Sequence, residues 1–273
     1  MALKSVLASP PYVPPGHFYS PQTARTDLVR ALSNANLAPP GVDLAEERQL
    51  ALAACFADVL AQPAPGPRYV AANSMFGPGD AAVYRAMLGK LRPGKVLEVG
   101  SGYSTAVALD EADVNPGLRE LRITCIEPFP KRLLGLMKET DRARLTLVPQ
   151  PVQDVDPVIF DQLGAGDVLF IDSTHVVKAG SDVVWLFLHR LPRLAAGVVV
   201  HVHDIFWPFE YPAAWLAERR DWTEAYLMNA FLTGNESWEI LFFASWFWRY
   251  QPALVPPGLA GEQPGSIWLR KVQ

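Results

Sequence analysis

Histidines and carboxylates follow two apolar segments in the middle of this sequence. Asp172 and His175 come after the run D-V-L-F-I, and His203 and Asp204 end the run that begins G-V-V-V. An imidazole can accept a proton near neutral pH, and a carboxylate can orient that imidazole or bind a cation. His201 has the same strand parity as His203, and we interpret it as a structural histidine. His175 or His203 is the predicted general base, with Asp204 as its partner.

A glycine-containing turn precedes these residues in the chain. Residues 95–105, K-V-L-E-V-G-S-G-Y-S-T, have the pattern of a buried strand that turns sharply into a helix. Gly100 and Gly102 allow the backbone to approach a ligand, and the free N–H groups of the helix favour a negatively charged group. Glu98 stands where a strand buried on both faces would carry an apolar residue, and its carboxylate suits a ligand with a positive charge. A plain strand–helix turn is the alternative.

Residues that could bind a nucleoside follow the next two apolar segments. Glu127 follows I-T-C-I, at the distance from the glycines where a carboxylate accepts hydrogen bonds from ribose hydroxyls. A solvent-facing loop acid is the alternative interpretation. Val152 and Gln153 follow the next segment and are placed to contact a base. Thr105 replaces the third glycine of the dinucleotide fingerprint, which argues against a nicotinamide cofactor.

Apolar segments that alternate with helical patterns must position these residues. The alternation predicts an α/β fold, in which a mostly parallel sheet carries helices on both faces and binds ligands at its strand ends. A proline-rich loop precedes the last segment, so we expect that strand to be antiparallel. The predicted strands are 96–99, 121–126, 145–148, 167–171, 197–202, 238–243 and 266–272. The predicted helices are 23–35, 43–60, 80–91, 130–140, 157–163 and 181–191, with Asp43 and Asp80 as caps.

The first part of the chain differs from the rest in composition. Residues 1–70 read as an arm followed by a helical extension, a lid or cap, and 71–273 as the main domain. The arm is proline-rich at 9–21 and contains His17 and Tyr19. It is either a flexible segment or an arm folded over the active site, with both side chains facing substrate.

Composition limits the classes of protein that this chain can belong to. Half of the residues are hydrophobic and 19% are charged, which indicates a large packed core. The formal net charge is -4 without a block of basic residues, so nucleic-acid binding has no electrostatic support. Cys55 and Cys125 lie in apolar runs and read as core residues. The sequence predicts no membrane span and no signal peptide, and we expect a cytoplasmic protein.

Two aromatic segments lie near the C-terminus. Phe206, Trp207, Glu210 and Tyr211 follow the predicted base directly and are expected to form the wall of an acceptor pocket. Packing against the sheet edge is the alternative. The later run from 238 to 250 is more apolar than an exposed strand and loop should be. We expect part of it to be buried in a homodimer interface or under the N-terminal arm.

Several of these segments together resemble a known family. E-x-G-x-G-x-S resembles the first motif of class I S-adenosyl-L-methionine (SAM) methyltransferases. F-I-D-S-T-H, I-E-P, P-V-Q-D-V and H-V-H-D-I-F are similar to the bacterial group called methyltransferase family 24. The resemblance also takes in P-P-G-H-F-Y-S-P near the start and S-I-W-L-R-K near the end, and so covers nearly the whole chain.

The resemblance implies a fold, a cofactor and a reaction. The fold is the Rossmann-like class I methyltransferase fold, with a seven-stranded sheet and a hairpin ending. The reaction is O-methylation of a small-molecule or saccharide acceptor, such as a sugar, a polysaccharide precursor or a natural product. The residues expected to bind SAM are Glu98, Gly100, Ser101, Gly102, Ser104, Glu127, Val152, Gln153 and Asp172.

The residues after the fourth and fifth predicted strands could also bind a metal ion. The catechol-type O-methyltransferases, a more distant resemblance, hold Mg²⁺ at positions that correspond here to Asp172, His203 and Asp204, and their catalytic lysine falls at His175. A histidine in place of a carboxylate disfavours Mg²⁺, which leaves a transition metal or no metal. The rival functions are a nicotinamide-dependent oxidoreductase, a non-catalytic scaffold on the same fold, and a hydroxylase with iron at these residues.

Overall fold

The computed structural model describes residues 10–34 and 36–273, which build one mixed sheet flanked by helices. The strands of the described residues are Lys95–Val99 (β1), Arg122–Ile126 (β2), Leu145–Val148 (β3), Val168–Ile171 (β4), Val199–His203 (β5), Trp238–Phe243 (β6) and Ser266–Lys271 (β7). Their order is β3-β2-β1-β4-β5-β7-β6, and β7 is antiparallel to both neighbours. The predicted fold, including its antiparallel last strand, is confirmed.

Helices precede and connect these strands. Those of the described residues are Arg25–Asn34 (α1), Glu46–Ala54 (α2), Ala57–Leu60 (α3), Pro78–Leu91 (α4), Tyr103–Val114 (α5), Lys131–Leu136 (α6), Val158–Asp161 (α7), Asp182–Trp185 (α8), Ala213–Ala217 (α9), Glu224–Leu232 (α10) and Ala244–Tyr250 (α11). Several are shorter than predicted, since Glu46–Ala54, Lys131–Leu136 and Val158–Asp161 end at Cys55, Met137 and Gln162. The predictions for residues 1–9 and for Ala35 lie outside the described residues.

The central strands are buried because helices cover both faces of the sheet. All four residues of β4 are fully buried, as are the apolar residues of β5. The strand order reverses between β1 and β4, where β2 and β4 pair with opposite edges of β1. Ligands of open α/β sheets bind at the carboxyl ends of the strands beside such a reversal. The residues that follow β1, β2, β4 and β5 therefore lie where a ligand is expected to bind.

The N-terminal extension is attached to the sheet through buried polar contacts. The Gln49 side chain in α2 is fully buried and accepts a hydrogen bond from the backbone N–H of Phe243 in β6. The Arg68 guanidinium binds Asp110 of α5 at 2.7 Å and Asp141 at 2.6 Å. The predicted cap at Asp43 is wrong, because α2 begins at Glu46 and the Asp43 carboxylate accepts from the N–H of Ala45.

The C-terminal aromatic run is buried within the chain itself. Phe242 and Phe243 are fully buried in β6, and Trp246 in α11 is 4% exposed. The ring of Phe56 in the extension lies 5.5 Å from that of Phe242. The extension thus covers the run, and its burial within one chain supplies no argument for a dimer. No helix in the described residues is long and apolar enough to span a bilayer.

Candidate active site

The glycine turn after β1 is shaped by contact with the end of β4. Gly100 has a φ of +82°, and a Cβ at this position would overlap the backbone carbonyl of Asp172. Only glycine tolerates both conditions without strain. A Cβ at Gly102 would lie 2.9 Å from Cδ of Arg132. The turn therefore brings the strand ends of β1 and β4 into direct backbone contact.

Glu98 lies behind this turn and is fully buried. Its carboxylate accepts hydrogen bonds from Ser104 Oγ at 2.5 Å and Thr105 Oγ1 at 2.6 Å. Burial raises the pKa of Glu98 to about 7, against the effect of these donors. Two residues predicted to contact the cofactor, Glu98 and Ser104, thus bond to each other and fix the start of α5 to β1.

A cavity of about 490 Å³ opens at the carboxyl ends of β1, β2 and β4. It brings together Gly100, Glu127, Val152, Gln153 and Asp172, all predicted from the sequence. Its remaining lining residues are Val99, Ile126, Pro128, Phe129, Pro151, Ser173, Thr174, Lys178, Gly180, Ser181 and Asp182. The mixture of apolar walls and a few polar groups is typical of a small-molecule site.

Glu127 lines both this cavity and an adjoining cleft of about 730 Å³. Its Oε2 accepts from the backbone N–H of Ser101 at 3.1 Å, and its Oε1 from that of Phe129 at 2.7 Å. Ser101 lines the adjoining cleft, and its buried hydroxyl has no hydrogen-bond partner among the described residues. An unpaired buried hydroxyl beside a carboxylate fits a ligand with hydroxyl groups of its own, such as a ribose.

Gln153 and Val152 lie at the opposite side of the cavity. Val152 is 3% exposed and supplies an apolar surface, whereas Gln153 is half-buried and donates from Nε2 to the carbonyl of Gly180 at 3.0 Å. Gly102 is absent from the lining residues of both cavities, as are Glu98 and Ser104. The residues that line the cavity therefore fit a nucleoside, but Glu98, Gly102 and Ser104, which were predicted to bind it, do not line the cavity.

Asp172 joins this cavity to a cluster of histidines and carboxylates. Oδ1 of Asp172 lies 3.3 Å from Nε2 of His175, and Oδ2 of Asp204 lies 3.5 Å from the same nitrogen. His175 and Asp204 have φ values of +60° and +57°. Residues other than glycine adopt such a backbone conformation only when the surrounding structure requires it. His175 and Asp204, two of the three residues predicted to perform or assist proton transfer, are thus brought together beside Asp172.

Helix α10 holds His175 from the other side. Nδ1 of His175 lies 2.9 Å from Oε2 of Glu224, which is fully buried. The backbone N–H groups of Thr223 and Glu224 both donate to the carbonyl of His175. The imidazole is therefore fixed through its backbone and its Nδ1, and only Nε2 faces Asp172 and Asp204. Glu224 was not predicted from the sequence, since an acidic residue in the first turn of a helix is ordinary.

His203 lies deeper in the same cluster. Its Nε2 is 3.5 Å from Oδ1 of Asp204, and its Nδ1 is 4.0 Å from Oδ1 of Asp80. The prediction that Asp80 caps α4 is wrong, because the helix begins at Pro78 and the carboxylate accepts from the N–H of Gly265. Burial raises the pKa of Asp80 to about 6. Asp80 is therefore a second acidic neighbour that the sequence did not reveal.

The charges of the cluster stabilise one another. Burial disfavours every charged form, but His203 and His175 outweigh it at Asp172 and lower the pKa of that carboxyl to about 2. Burial likewise opposes protonation of His175, yet Asp172 and Glu224 raise the pKa of the imidazole well above its usual range. Asp172, His203 and Asp204 each place one ligand atom within 4.8 Å of the others, as a metal centre would require. The predicted metal ligands are thus brought together.

His201 is separated from this chemistry. It is 2% exposed and stacks on Phe170 at a ring distance of 4.0 Å. Neither of its ring nitrogens has a hydrogen-bond partner in residues 10–34 and 36–273. Burial lowers the pKa of His201 well below its usual value, so the ring is neutral. The geometry agrees with its interpretation as a structural histidine.

The predicted acceptor wall is more deeply packed than expected. Phe206 and Trp207 are 9% and 8% exposed, and their rings pack against Trp215 and Phe243. Their neighbour Glu210 accepts a hydrogen bond from the Tyr226 hydroxyl. The Tyr211 hydroxyl accepts from the N–H of Ala225, and its ring contacts Trp222.

Trp222, rather than the predicted aromatics, contacts the candidate base. Its ring centroid lies 4.3 Å from that of His175. In the arm, His17 instead stacks on the exposed Phe18, and the Tyr19 ring packs against the same side chain at a tilt. The arm approaches the site at Thr23, whose N–H donates to Asp221 and whose carbonyl accepts from Arg219. The arm is therefore bonded to the segment that leads into Trp222.

Comparisons with known proteins identify the family of this chain. Residues 97–205 match the model of methyltransferase family 24, described as a methyltransferase domain. An uncharacterized protein of Archaeoglobus fulgidus is 31% identical over 169 residues, which cover 55% of this chain and 73% of that protein. The matched range includes every residue of the predicted catalytic and cofactor-binding sets. The fold and the family match together define a class I SAM-dependent methyltransferase, and the chain belongs to that family.

Solved structures with similar folds share little sequence with this chain. The SAH-bound methyltransferase PaMTH1 of Podospora anserina is 17% identical, with 91% of this chain and 95% of that chain covered and a TM-score of 0.45. The O-methyltransferase TomG of Streptomyces achromogenes, in complex with SAM, is 15% identical, with 90% and 96% covered and a TM-score of 0.46.

Proposed function

We propose that this protein transfers the methyl group of SAM to a hydroxyl group of a small acceptor, with His175 as the general base. One observation carries the proposal. Asp172 lines the nucleoside cavity and also lies 3.3 Å from Nε2 of His175. The site that fits the methyl donor and the group that could remove a proton are therefore neighbours, which is the arrangement that an in-line transfer needs.

Named residues would hold the cofactor in this cavity. The Glu127 carboxylate accepts hydrogen bonds from the ribose hydroxyls, with the Ser101 hydroxyl beside it, and Val152 packs against the base. Asp172 supplies negative charge next to a cationic sulfonium. SAM contributes an activated methyl group, so the chain's own task is to orient the acceptor, exclude water and remove a proton.

His175 is suited to removing that proton. In the transfer, a bond forms between the acceptor oxygen and the methyl carbon as the carbon–sulfur bond breaks, and the hydroxyl proton passes to Nε2. Because the pKa of His175 is raised, the imidazolium must first release its Nε2 proton before it can act as a base. Glu224 keeps the other proton on Nδ1, so the unshared electron pair of the resulting neutral ring lies at Nε2. Asp204 stabilises the imidazolium that results.

Calorimetric titration with S-adenosylhomocysteine (SAH), NAD and NADP tests the cofactor. We expect SAH alone to bind, and Glu127→Ala to weaken it by about tenfold or more, because hydrogen bonds to a charged acceptor are lost. Glu120→Ala, at an exposed carboxylate, is the matched control. Binding of NAD in preference to SAH would favour the oxidoreductase instead.

A divalent-metal centre is a second candidate for the same cluster, favoured by the proximity of Asp172, His203 and Asp204. One imidazole and two carboxylates suit Mn²⁺, Fe²⁺ or Zn²⁺ better than Mg²⁺. Chelator-treated protein would be titrated with each ion, beside a His203→Ala variant. Stoichiometric binding that the variant loses supports the centre, and equal binding by both proteins contradicts it.

A further inference from the structure

Arg220 forms a cationic edge beside the candidate base. Its guanidinium carbon lies 4.0 Å from the ring centroid of Trp215 and 5.0 Å from that of Trp222. Trp222 in turn lies 4.3 Å from His175, so the guanidinium and the imidazole are separated by no more than one indole ring. Because the planes of Trp215 and Trp222 meet at 80°, the guanidinium lies in a corner between two aromatic rings, and these contacts restrict its position.

The bonding capacity of this guanidinium is only partly used. Nε donates to Glu218 at 2.8 Å, and that carboxylate is 56% exposed. Within the described part of the chain, neither terminal nitrogen of Arg220 donates a hydrogen bond. An exposed ion pair contributes little and is readily exchanged. The two terminal nitrogens therefore present the planar fork that matches a carboxylate or a phosphate.

The charge of Arg220 contrasts with that of the cluster beside it. When His175 is neutral, as a base must be, Asp172, Asp204 and Glu224 leave the cluster around it negatively charged, so an anionic acceptor would be repelled unless a cation received its charge. Arg220 is a cation close to this cluster, since the Trp222 ring contacts both its guanidinium and the His175 ring. The site thus has one edge suited to an anion and another suited to a hydroxyl.

We infer that the acceptor is an acidic molecule, whose carboxylate or phosphate binds Arg220 while its hydroxyl reaches His175. The inference rests on the proposed function and specifies its substrate class. Trp215 and Trp222 provide aromatic faces against which the ring of a sugar acid, a sugar phosphate or an aromatic acid can pack. Arg220 is then a specificity-determining residue, and it takes no part in proton transfer.

Matched pairs of probes test the inference by binding, without the need for turnover. Protein saturated with SAH would be titrated calorimetrically with 3,4-dihydroxybenzoate and 3,4-dihydroxybenzamide, with glucuronate and glucuronamide, and with glucose 6-phosphate and glucose. We expect the anionic member of at least one pair to bind about tenfold or more tightly than its neutral partner. The pair that shows the preference distinguishes a carboxylate from a phosphate.

Two variants assign the preference to this residue. Arg220→Gln should abolish it and leave the affinity for the neutral probe unchanged, and Arg220→Lys should retain part of it, since charge remains but the planar fork is lost. Arg249→Gln is the matched control, because the Arg249 guanidinium also lies over an aromatic ring, 5.4 Å from Tyr250. Thermal midpoints would confirm that each variant is folded.

The outcomes separate this inference from the proposed function. Equal affinities within every pair, including no binding of either member, overturn it, as does a preference that survives in Arg220→Gln. In both cases intact SAH binding would leave the methyltransferase proposal in place. Loss of SAH binding by the unmodified protein would instead contradict the cofactor proposal itself.

Discussion

At the scale of single residues, the imidazole of His175 is the most constrained group in the site. Its carbonyl accepts two N–H groups from the start of α10, its Nδ1 is 2.9 Å from Glu224, and its Nε2 faces two aspartates. A ring held in this way can present only Nε2 to a substrate. Glu224 is therefore a positioning residue for the proposed base.

Replacing Glu224 by glutamine tests that role. The amide keeps the size of the side chain but loses its charge, so the ring is held less firmly and the imidazolium is less stabilised. We expect kcat to fall by about tenfold to a hundredfold, as for other groups that orient a catalytic imidazole. The affinity for SAH should not change, and Glu224→Asp should restore part of the rate.

A control variant separates this effect from a general change in α10. Glu46 is the exposed first residue of α2, as Glu224 is the buried first residue of α10. Glu46→Gln should leave kcat unchanged. A Glu224→Gln variant with the full rate, or with a loss only in SAH affinity, would contradict the positioning role.

The sequence could predict the site residues that directly follow strands, but it could not predict those that reach the site from distant parts of the chain. Asp172, His175 and Glu127 belong to that first group, because the carboxyl ends of parallel strands meet at one edge of the sheet. Glu224 lies 49 positions from His175, and nothing in its neighbourhood marks it as buried. Glu98 was predicted as a ligand for a cation, whereas its nearest donors are Ser104 and Thr105 of the following helix.

At the scale of elements, the turn between β1 and α5 determines the shape of the nucleoside cavity. Gly100 combines a positive φ with backbone contact at Asp172, and Glu98 fixes the helix that follows. The turn, the helix start and the end of β4 therefore form one rigid unit. Any side chain at position 100 must displace Asp172, which both the cavity and the cluster use.

Gly100→Ala should therefore damage both binding and stability. A left-handed conformation costs an L-residue about 1–2 kcal/mol, and the overlap with the Asp172 carbonyl adds to this. We expect a lower unfolding midpoint and a loss of SAH affinity by calorimetry. Gly258→Ala is the matched control, since a Cβ there meets nothing within 4 Å. Equal behaviour of the two variants would show that the turn tolerates a side chain.

The number and positions of the strands followed from the sequence, whereas the helix ends did not. Apolar runs bounded by polar residues mark buried strands clearly, as in Val168–Ile171. The predicted helix 181–191 instead continues from α8 into a π-helical segment, Leu186–Arg190. The side-chain pattern of the two helical forms is too similar over one turn to distinguish them.

At the scale of the whole molecule, Arg68 joins the extension to the methyltransferase domain. Its side chain is 3% exposed and contacts Asp110, Asp113 and Asp141, which lie on and after α5. Asp110 also accepts from the backbone N–H groups of Arg68 and Tyr69. The extension is thus held by a buried network of charges as well as by apolar contact.

Arg68→Leu should destabilise the protein strongly, because it leaves buried carboxylates without a partner. Breaking a buried ion pair from one side typically costs about 3–5 kcal/mol. Denaturant unfolding near pH 7 measures the change. Arg142→Leu, which removes an exposed pair with Glu139, is the control and should have little effect. A similar stability for the two variants would mean that the network does not hold the extension.

The same network predicts how the difference in unfolding free energy between the unmodified protein and Arg68→Leu depends on pH. Burial acts against it, but the hydrogen bonds from Arg68 lower the pKa of Asp141 in the folded protein. A carboxyl with a lowered folded pKa contributes stability above its unfolded pKa, about 3.9, and loses that contribution as pH falls toward the folded value. In Arg68→Leu the buried Asp141 carboxylate lacks its cation, so protonation of Asp141 stabilises the folded variant. In the unmodified protein the same protonation breaks the ion pair and destabilises the fold. The difference in unfolding free energy should therefore be largest at pH 6–7 and shrink as pH falls from about 5 to 3. A difference that stays constant over this range would show that packing of the Arg68 side chain, rather than its charge, stabilises the extension.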